Sequence, residues 1–228
     1  MKDVCGIKGV DRIFTISLDR RKDRWFEFFR MAKKGGMENY DKWTAADGNK
    51  IEIDSKLNKL YRNRSYKKHQ KGVIGCSYSH YDLWVHCIEN NIDNVLIFED
   101  DVFFIKGDKT KEIWNEKVYP NIKKLGDKLH FMFPCSPELC GVLNGEFNKI
   151  EDNLYIANNV LERTFCYFIT LRGMKKLVNK IEERGINVPI DRFLHSNRTL
   201  FPVHVCKLKL FYSPLNYKTD IQGNNNKF

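Results

Sequence analysis

The sequence predicts an α/β fold with a mostly parallel central sheet, and three observations support this prediction. Short apolar runs of strand-like composition alternate along the chain with segments whose apolar residues recur at helical spacing. Strands separated by helical segments are typical of parallel sheets, because a parallel pair needs a long crossover connection. The 228 residues, of which 42% are hydrophobic, suffice for one large domain or two small ones.

The first quarter of the chain predicts two strands and a helix. Residues 12–18 form an apolar strand, and Asp19 is placed to cap the helix that follows. That helix has one apolar face and ends at two glycines. A short strand over residues 40–44 leads into a turn at Asp47-Gly48, since this pair favours positive φ. The apolar face consists of Trp25, Phe28, Phe29 and Ala32.

The middle of the chain combines a basic segment with a helix and a strand. Residues 56–71 are dense in Lys and Arg and poor in aliphatic residues, which predicts a mobile, exposed segment. A helix is predicted over residues 77–90, and His80 lies on its apolar face. The apolar run at residues 95–98 predicts a buried strand.

The second half predicts a further series of strands and helices. Residues 106–125 are polar and loop-rich with one short helix, and residues 135–153 are irregular apart from a hairpin. Thr170 is placed to cap a helix that ends before Gly185, and residues 189–194 form a helical turn that opens with proline. The strands are predicted at residues 129–133, 165–170 and 203–211.

Composition limits the classes of protein that the chain can represent. No apolar run reaches the roughly 20 residues of a membrane-spanning helix. The first residues lack the apolar segment of a signal peptide, and the seven cysteines are odd in number and scattered. We therefore expect a cytoplasmic location and free thiols. The net charge of +10 fits nucleic acid, an anionic membrane or a polyanionic substrate, so it does not identify a partner.

Three adjacent acids, Glu99-Asp100-Asp101, directly follow the predicted strand at residues 95–98. Adjacent carboxylates repel one another, and a divalent cation would give the fold a reason to gather them. Carboxylate oxygens are the ligands that Mg²⁺ and Mn²⁺ prefer, and such a metal in turn binds a diphosphate. The alternative is an acidic turn that only ends the strand.

Five sequence blocks occur at residues 16–24, 45–48, 72–80, 96–102 and 189–194. Their order and spacing resemble glycosyltransferase family 25, which includes bacterial lipooligosaccharide galactosyltransferases and procollagen galactosyltransferases. The resemblance implies a GT-A fold, a single Rossmann-like domain with a mixed, mostly parallel central sheet. That domain would cover residues 11–221, with residues 1–10 as an N-terminal extension and residues 222–228 as a disordered tail.

The resemblance also implies an activity and its partners. A metal-dependent, inverting enzyme would move a hexose, galactose or glucose, from a UDP-sugar to a glycan or to hydroxylysine on a collagen-like protein. The cofactor would be Mn²⁺ or Mg²⁺. Glu99, Asp101 and Asp220 would bind the metal, and Asp191 would be the catalytic base. Donor-binding residues would be Ser17, Leu18, Arg20, Arg24, Asp47, Ser79, His80 and Asp100.

Alternatives remain at several of these positions. Asp191 could cap a helix, Asp47 could serve only its turn, His80 could be a core histidine, and Asp100 could be structural because it points the other way along the strand. The basic segment 56–71 could be a solvated loop, a lid over the donor phosphates or a nucleic-acid contact.

The alternative at the level of function is a catalytically inactive nucleotide-sugar-binding protein, or a basic protein that contacts nucleic acid. Nucleic acid is not expected as a partner, because no RNA- or DNA-recognition motif accompanies the basic residues. The resemblance leaves a homodimer open.

Overall fold

The computed structural model describes residues 6–37, 39–62, 67, 69–136, 147–158, 163–197 and 199–214. It has an α/β fold around an eight-stranded mixed sheet, which confirms the predicted class. The strands are β1 (Arg12–Ser17), β2 (Asp41–Thr44), β3 (Val95–Glu99), β4 (Phe103–Phe104), β5 (Phe131–Phe133), β6 (Phe147–Glu151), β7 (Leu154–Ala157), β8 (Cys166–Ile169), β9 (Val203–Cys206) and β10 (Phe211–Tyr212). The α-helices are α1 (Lys22–Lys34), α2 (Ser55–Leu60), α3 (Lys71–Glu89), α4 (Thr110–Ile113), α5 (Tyr119–Leu125), α6 (Leu171–Arg184) and α7 (Ile190–Ser196).

The strand order in the large sheet is β2-β1-β3-β8-β5-β9-β7-β6. The pairs β1–β2, β1–β3 and β5–β9 are parallel, whereas β3–β8, β5–β8, β7–β9 and β6–β7 are antiparallel. The prediction of a mostly parallel sheet is therefore wrong. Strand β8 runs against both of its neighbours, and the β6–β7 hairpin adds antiparallel strands at one edge.

A cluster of phenylalanines packs the small β4–β10 pair against the large sheet. The ring of Phe211 lies 5.2 Å from that of Phe98 in β3 and 5.2 Å from that of Phe104 in β4. All three side chains are buried, and each contributes about 1.5–3 kcal/mol by leaving water. Because β10 ends beside the tip of β3, this packing brings Ser213 to the acidic triplet.

Helix α1 differs from the prediction in its cap and its buried face. Its N-cap residue is Arg21, without a side-chain cap bond, and Asp19 instead accepts a hydrogen bond from Lys42 Nζ at 2.7 Å. The predicted cap at Asp19 is therefore wrong, because the lysine on β2 holds this carboxylate. Phe28 and Ala32 are buried as predicted, whereas Phe29 is 50% exposed. The buried face of the helix instead includes Arg24, one turn before Phe28.

The segment predicted to be mobile contains helix α2. The Asp54 side chain caps it by accepting a hydrogen bond from Leu57 N at 2.6 Å, and Leu57, Leu60 and Tyr61 are fully buried. The prediction fails over residues 56–61 because a few apolar residues at helical spacing are enough to anchor a short amphipathic helix. Two of the basic side chains form ion pairs, Lys56 with Asp82 and Lys59 with Glu182. Residues 63–66 and 68 lie outside the described part.

Helix α3 begins at Lys71, six residues before the predicted start, and packs closely on the turn at residues 45–48. A Cβ added to Gly75 would lie 2.5 Å from Ala46 O and 2.8 Å from Gly48 N. A Cβ on Gly48 would lie 1.7 Å from Lys71 O. Both glycines therefore permit a contact of backbone with backbone that no other residue would allow.

We expect Gly75→Ala to destabilise the protein, although alanine favours a helix interior by about 1 kcal/mol over glycine. The new methyl group would push against backbone atoms that cannot move as a side chain can, and overpacking of this kind costs about 1–3 kcal/mol. Thermal unfolding of the variant should show a lower Tm, and Glu89→Ala at the exposed end of the same helix serves as the control. A Tm above that of the wild type would show that the turn moves aside freely.

The second half agrees more closely with its predictions. Thr170 caps α6 by accepting a hydrogen bond from Gly173 N at 3.2 Å, and Gly185 ends the helix at a φ of +68°. The hairpin β6–β7 forms, whereas residues 110–125, predicted as loop-rich, are helical with a π-helical stretch over Trp114–Val118. Trp114 and Val118 are fully buried there, so this region contributes to the core.

The cysteines depart from the prediction at one position. Cys76, Cys87, Cys166 and Cys206 are free thiols, whereas Cys135 is disulfide-bonded. The expectation of free thiols throughout is therefore wrong at Cys135. Within the described residues, no helix has the length and apolar character needed to cross a membrane.

Candidate functional site

An open pocket lies at the carboxyl ends of β1 and β3. These two strands are parallel and in register, with Ile16 opposite Glu99, so the residues that follow them meet at one edge of the sheet. Ligands of open α/β sheets bind at this edge. The pocket brings together ten residues predicted to act in the site: Ser17, Leu18, Arg20, Arg24, Asp47, Ser79, His80, Glu99, Asp100 and Asp101.

Asp100 lies at the base of the pocket and is almost fully buried. Its Oδ2 accepts a hydrogen bond from Ser17 Oγ at 2.8 Å, and its Oδ1 lies 3.4 Å from Nη1 of the equally buried Arg24. Burial raises the pKa of Asp100, although Ser17 and Arg24 oppose the shift. These contacts fit the interpretation in which Asp100 has a structural role. They also balance the charge of the Arg24 guanidinium, which was predicted to bind a diphosphate.

Asp101 presents an oxygen that is buried and has no hydrogen-bond partner among the described residues. This oxygen is Oδ1, whereas Oδ2 accepts a hydrogen bond from Ser213 Oγ at 3.0 Å. Burial and the adjacent charge of Glu99 raise the pKa of Asp101 to about 7. A buried carboxylate oxygen without a partner costs free energy unless a proton or a cation satisfies it. Asp101 therefore has the properties of a cation ligand.

Glu99, two residues earlier, differs from Asp101 in its partners. His80 Nε2 lies 3.2 Å and Thr164 Oγ1 lies 2.6 Å from the same oxygen, Glu99 Oε1. Burial raises the pKa of Glu99, but the contacts with His80 and Thr164 outweigh it, so the net shift is downward. Glu99 is thus a carboxylate at neutral pH, and its second oxygen, Oε2, is the one left to bind a cation in the pocket.

A chain of buried hydrogen bonds orients His80, and through His80 it orients Glu99. Trp84 Nε1 donates to Tyr167 Oη at 3.0 Å, and Tyr167 Oη lies 2.7 Å from His80 Nδ1. Because ionised Glu99 can only accept, a neutral His80 must carry its proton on Nε2 and accept at Nδ1 from Tyr167. His80 is fully buried, as expected for a core histidine, and it also lines the pocket. The two interpretations of this residue are therefore compatible.

Tyr167→Phe should break this chain without changing the shape of the core. The indole of Trp84 and Nδ1 of His80 would lose their partner, and unsatisfied buried groups of this kind cost about 1–3 kcal/mol each. We expect a lower Tm in thermal unfolding. Tyr155→Phe, on the partly buried strand β7, should leave the Tm unchanged. Equal Tm values for both variants would contradict the assigned chain.

Three of the predicted donor-binding residues stabilise the turn at residues 45–48. Asp47 Oδ2 accepts a hydrogen bond from Arg20 Nε at 3.0 Å, and Asp47 Oδ1 accepts from Asn49 N at 3.0 Å. Ser79 Oγ accepts from Ala46 N at 2.9 Å and donates to Gly75 O at 2.6 Å. Ser79 therefore holds the turn from helix α3, and the exposed Arg20 is one of the two arginines that line the pocket.

Asp191 lies in the first turn of α7 and is not among the residues that line the pocket. Its Oδ2 accepts from Arg163 N at 3.2 Å and its Oδ1 from Arg192 N at 2.7 Å. Arg163 Nη1 in turn donates to the carbonyl oxygen of Ser213 at 2.7 Å. Asp191 is thus linked through Arg163 and Ser213 to Asp101. The third predicted metal ligand, Asp220, lies outside the described residues.

The sequence prediction missed Thr164, Tyr167 and Ser213, which hold the acidic residues. Their contacts left no signal in the sequence, because Thr164 lies 65 residues from Glu99 and Ser213 lies 112 residues from Asp101.

A family model described as "Glycosyltransferase family 25 (LPS biosynthesis protein)" matches residues 10–194. The chain belongs to glycosyltransferase family 25. The predicted membership is therefore confirmed, and the match includes the five blocks that suggested it.

This family 25 chain is similar to several curated proteins. It is 29% identical over 199 residues to procollagen galactosyltransferase 2 of Homo sapiens, a match that covers 82% of this chain and 30% of the relative. It is 32% identical over 198 residues to the inactive glycosyltransferase 25 family member 3 of Homo sapiens, covering 82% of this chain and 31% of the relative. A putative glycosyltransferase of Haemophilus influenzae is 28% identical over 151 residues, covering 64% of this chain and 51% of the relative. The family 25 chain thus spans about a third of the length of its human relatives.

Among solved structures, the chain is similar to a glycosyltransferase involved in the glycosylation of the major capsid of PBCV-1. The match has a TM-score of 0.43 and 10% identity, and it covers 90% of this chain and 93% of that one.

Proposed function

We propose that this chain is an inverting, metal-dependent glycosyltransferase of GT-A type that moves a hexose from a UDP-sugar to a hydroxyl group. One observation supports it above all others. The pocket is lined by four carboxyl groups and two guanidinium groups, so its formal charge is −2 when all are ionised (−4 plus +2). A diphosphate would be repelled from such a pocket unless a cation were present. The acidic residues therefore fit a cation site that is completed before or with the donor.

The residues fit Mn²⁺ or Mg²⁺ in their chemistry and in their contacts. Asp101 offers its unpartnered Oδ1, and Glu99 offers Oε2, so both ligands would be hard oxygens on one strand end. Bound there, the metal would neutralise charge on the departing UDP as a Lewis acid. Ser213 and Thr164 keep the two carboxylates in place, which is the kind of support that metal ligands need.

The chain itself would hold the rest of the donor. Arg20, which pairs with Asp47 and is partly exposed, is positioned to bind a phosphate oxygen, and the turn at residues 45–48 lines the same pocket. The buried pair of Arg24 and Asp100 would fix the base of the pocket and not contact the diphosphate directly. Asp191 would accept the proton of the attacking hydroxyl group. It does not line the pocket, but its charge adds to burial in raising the pKa of the pocket residue Cys76, so its carboxylate lies near the site.

The donor sugar and the acceptor are proposed from the relatives. Galactose is supported by the name of the human procollagen galactosyltransferase 2, and a collagen-like acceptor by the same name. A glycan acceptor is supported by the lipopolysaccharide term in the family description. Glucose remains the alternative sugar, because nothing in the pocket distinguishes the two epimers.

A second function has one observation in its favour. One similar protein is named "Inactive glycosyltransferase 25 family member 3", and another is named "Probable inactive glycosyltransferase 25 family member 3". These names indicate that the family contains members without activity. A protein that binds a nucleotide sugar without transferring it would keep the pocket. The enzyme is favoured here because Asp101 retains an unsatisfied oxygen at a cost to stability, which a binding protein without a metal would have no reason to keep.

Donor hydrolysis across a panel of UDP-sugars tests the proposal. UDP-galactose, UDP-glucose and UDP-N-acetylglucosamine would be incubated with the chain in the presence of Mn²⁺, Mg²⁺ or a chelator, and UDP release would be measured. We expect release with one hexose donor and Mn²⁺, and its loss with the chelator. UDP binding without release for any donor or acceptor would favour the inactive protein, and no binding at all would overturn the proposal.

A further inference from the structure

Cys76, His80 and Glu99 lie together on the wall of the pocket. Cys76 and His80 are separated by one turn of α3, so their side chains project from the same face of the helix, and Glu99 ends the adjacent strand β3. One ligand atom of each residue lies within 4.8 Å of the others, and His80 Nε2 is 3.2 Å from Glu99 Oε1. Such distances suit ligands that converge on one ion.

We propose that Cys76, His80 and Glu99 form a second cation site, which binds Zn²⁺ or another thiophilic divalent ion. A sulfur, a nitrogen and an oxygen ligand are the set that zinc accepts in tetrahedral sites, whereas Mn²⁺ and Mg²⁺ prefer oxygen alone. Three protein ligands leave a fourth position, and all three residues line the pocket. The ion would therefore contact solvent or a small ligand in the pocket.

The surrounding contacts support ligands in this arrangement. Thr164 Oγ1 holds Glu99, and Tyr167 Oη lies 2.7 Å from His80 Nδ1, the ring nitrogen that faces away from the cluster. Histidines that bind zinc commonly use the other ring nitrogen for such a hydrogen bond, which orients the ring. When Nε2 binds the ion, the imidazole proton moves to Nδ1 and is donated to Tyr167 Oη. Cys76 would bind as the thiolate, and its thiol proton would be released to solvent.

The two cation sites share the carboxylate of Glu99, with Oε1 at the zinc site and Oε2 offered to Mn²⁺. Two divalent ions on one carboxylate repel each other, so an ion in one site should weaken binding in the other. Inhibition of transfer by zinc rests on the proposed function, whereas the binding of zinc by these three residues does not.

Cobalt replaces zinc as a spectroscopic probe. Metal-free chain in a phosphine reductant would be titrated with Co²⁺, and we expect a thiolate-to-cobalt charge-transfer band and intense tetrahedral d–d bands that saturate at one equivalent and disappear on addition of Zn²⁺. Cys76→Ser should lose the charge-transfer band and bind Co²⁺ about 10- to 100-fold more weakly. Cys87→Ser, buried on the same helix, should keep both bands. A band of the same intensity in Cys76→Ser, or none in the wild type, would overturn the proposal.

A measurement without any variant covers the case in which Cys76→Ser does not fold. Zn²⁺ should slow the reaction of Cys76 with a maleimide, measured by mass spectrometry of the digested chain, and Mg²⁺ should not. Equal labelling with and without Zn²⁺ would also contradict the site. Asp101→Asn separates the two proposals, because it should lose UDP binding with Mn²⁺ and keep the cobalt bands.

Discussion

Asp101→Asn is expected to abolish UDP binding in the presence of Mn²⁺, and with it sugar transfer, while the chain stays folded. The amide keeps the shape of the carboxyl group and can still accept the hydrogen bond from Ser213. It cannot supply the negative charge that the cation needs, and the pocket depends on that cation to accept a diphosphate. Isothermal titration calorimetry with UDP and Mn²⁺ measures this directly.

The same variant should be more stable than the wild type when no metal is present and the pH is alkaline. Burial and the charges of Glu99 and Asp100 raise the pKa of Asp101 from 3.8 to about 7, against the opposing effects of Arg24 and Ser213. Between these pH values the folded state binds more protons than the unfolded state, so the free energy of unfolding falls as the pH rises. Asparagine is neutral throughout and removes this loss.

Thermal unfolding at pH 4 and pH 8 without metal checks the predicted difference in stability between Asp101→Asn and the wild type. The Tm of Asp101→Asn should exceed that of the wild type at pH 8 and match it at pH 4, and Mn²⁺ at pH 8 should raise only the wild-type Tm. Asp127→Asn, at an exposed ion pair with Arg172, provides the control and should change neither binding nor the pH dependence. Wild-type UDP affinity in Asp101→Asn with Mn²⁺ would refute the metal role.

Asp191→Asn is expected to slow transfer by about 100-fold or more with little change in donor affinity. A general base works through the negative charge and the basicity of its carboxylate, both of which the amide lacks. The amide oxygen can still accept one of the two backbone hydrogen bonds, from Arg163 N or Arg192 N, so the start of α7 should remain in place. The loss should therefore fall on kcat and leave the Kd for the donor unchanged.

Initial rates with saturating donor, together with donor Kd and Tm, distinguish a base from a cap. Asp108→Asn, at an exposed residue outside the pocket, is the control. If Asp191→Asn lowers the Tm and keeps wild-type turnover per folded molecule, then Asp191 caps α7 and the base lies elsewhere.

The resemblance named ten of the residues that line the pocket, and for those that follow β1 and β3 there is also a local reason. Residues directly after β1 and β3 must lie at one edge of the sheet if the two strands are parallel, and they are. The direction of β8 was not predictable in the same way. Its four residues are buried on both faces, so its apolar pattern is the same whichever way the strand runs.

The residues that hold the acids were missed because they are distant in sequence. Thr164 is 65 residues from Glu99, and Ser213 is 112 residues from Asp101. A threonine or serine has no periodic signal of its own, and its contact exists only once the sheet has formed. Helix α2 was missed for a different reason, since its two buried leucines are surrounded by lysines that dominate the composition.

Arg163 has a consequence for how the family can vary. It adopts a φ of +86°, a backbone conformation that glycine occupies freely and that costs other residues about 1–3 kcal/mol. Glycine would relieve this strain but remove the guanidinium that reaches Ser213. The backbone conformation at this position therefore favours glycine, whereas the contact with Ser213 favours arginine. Lineages that keep the arginine should tolerate fewer destabilising substitutions elsewhere, and those that take glycine should have replaced the contact with Ser213 by another.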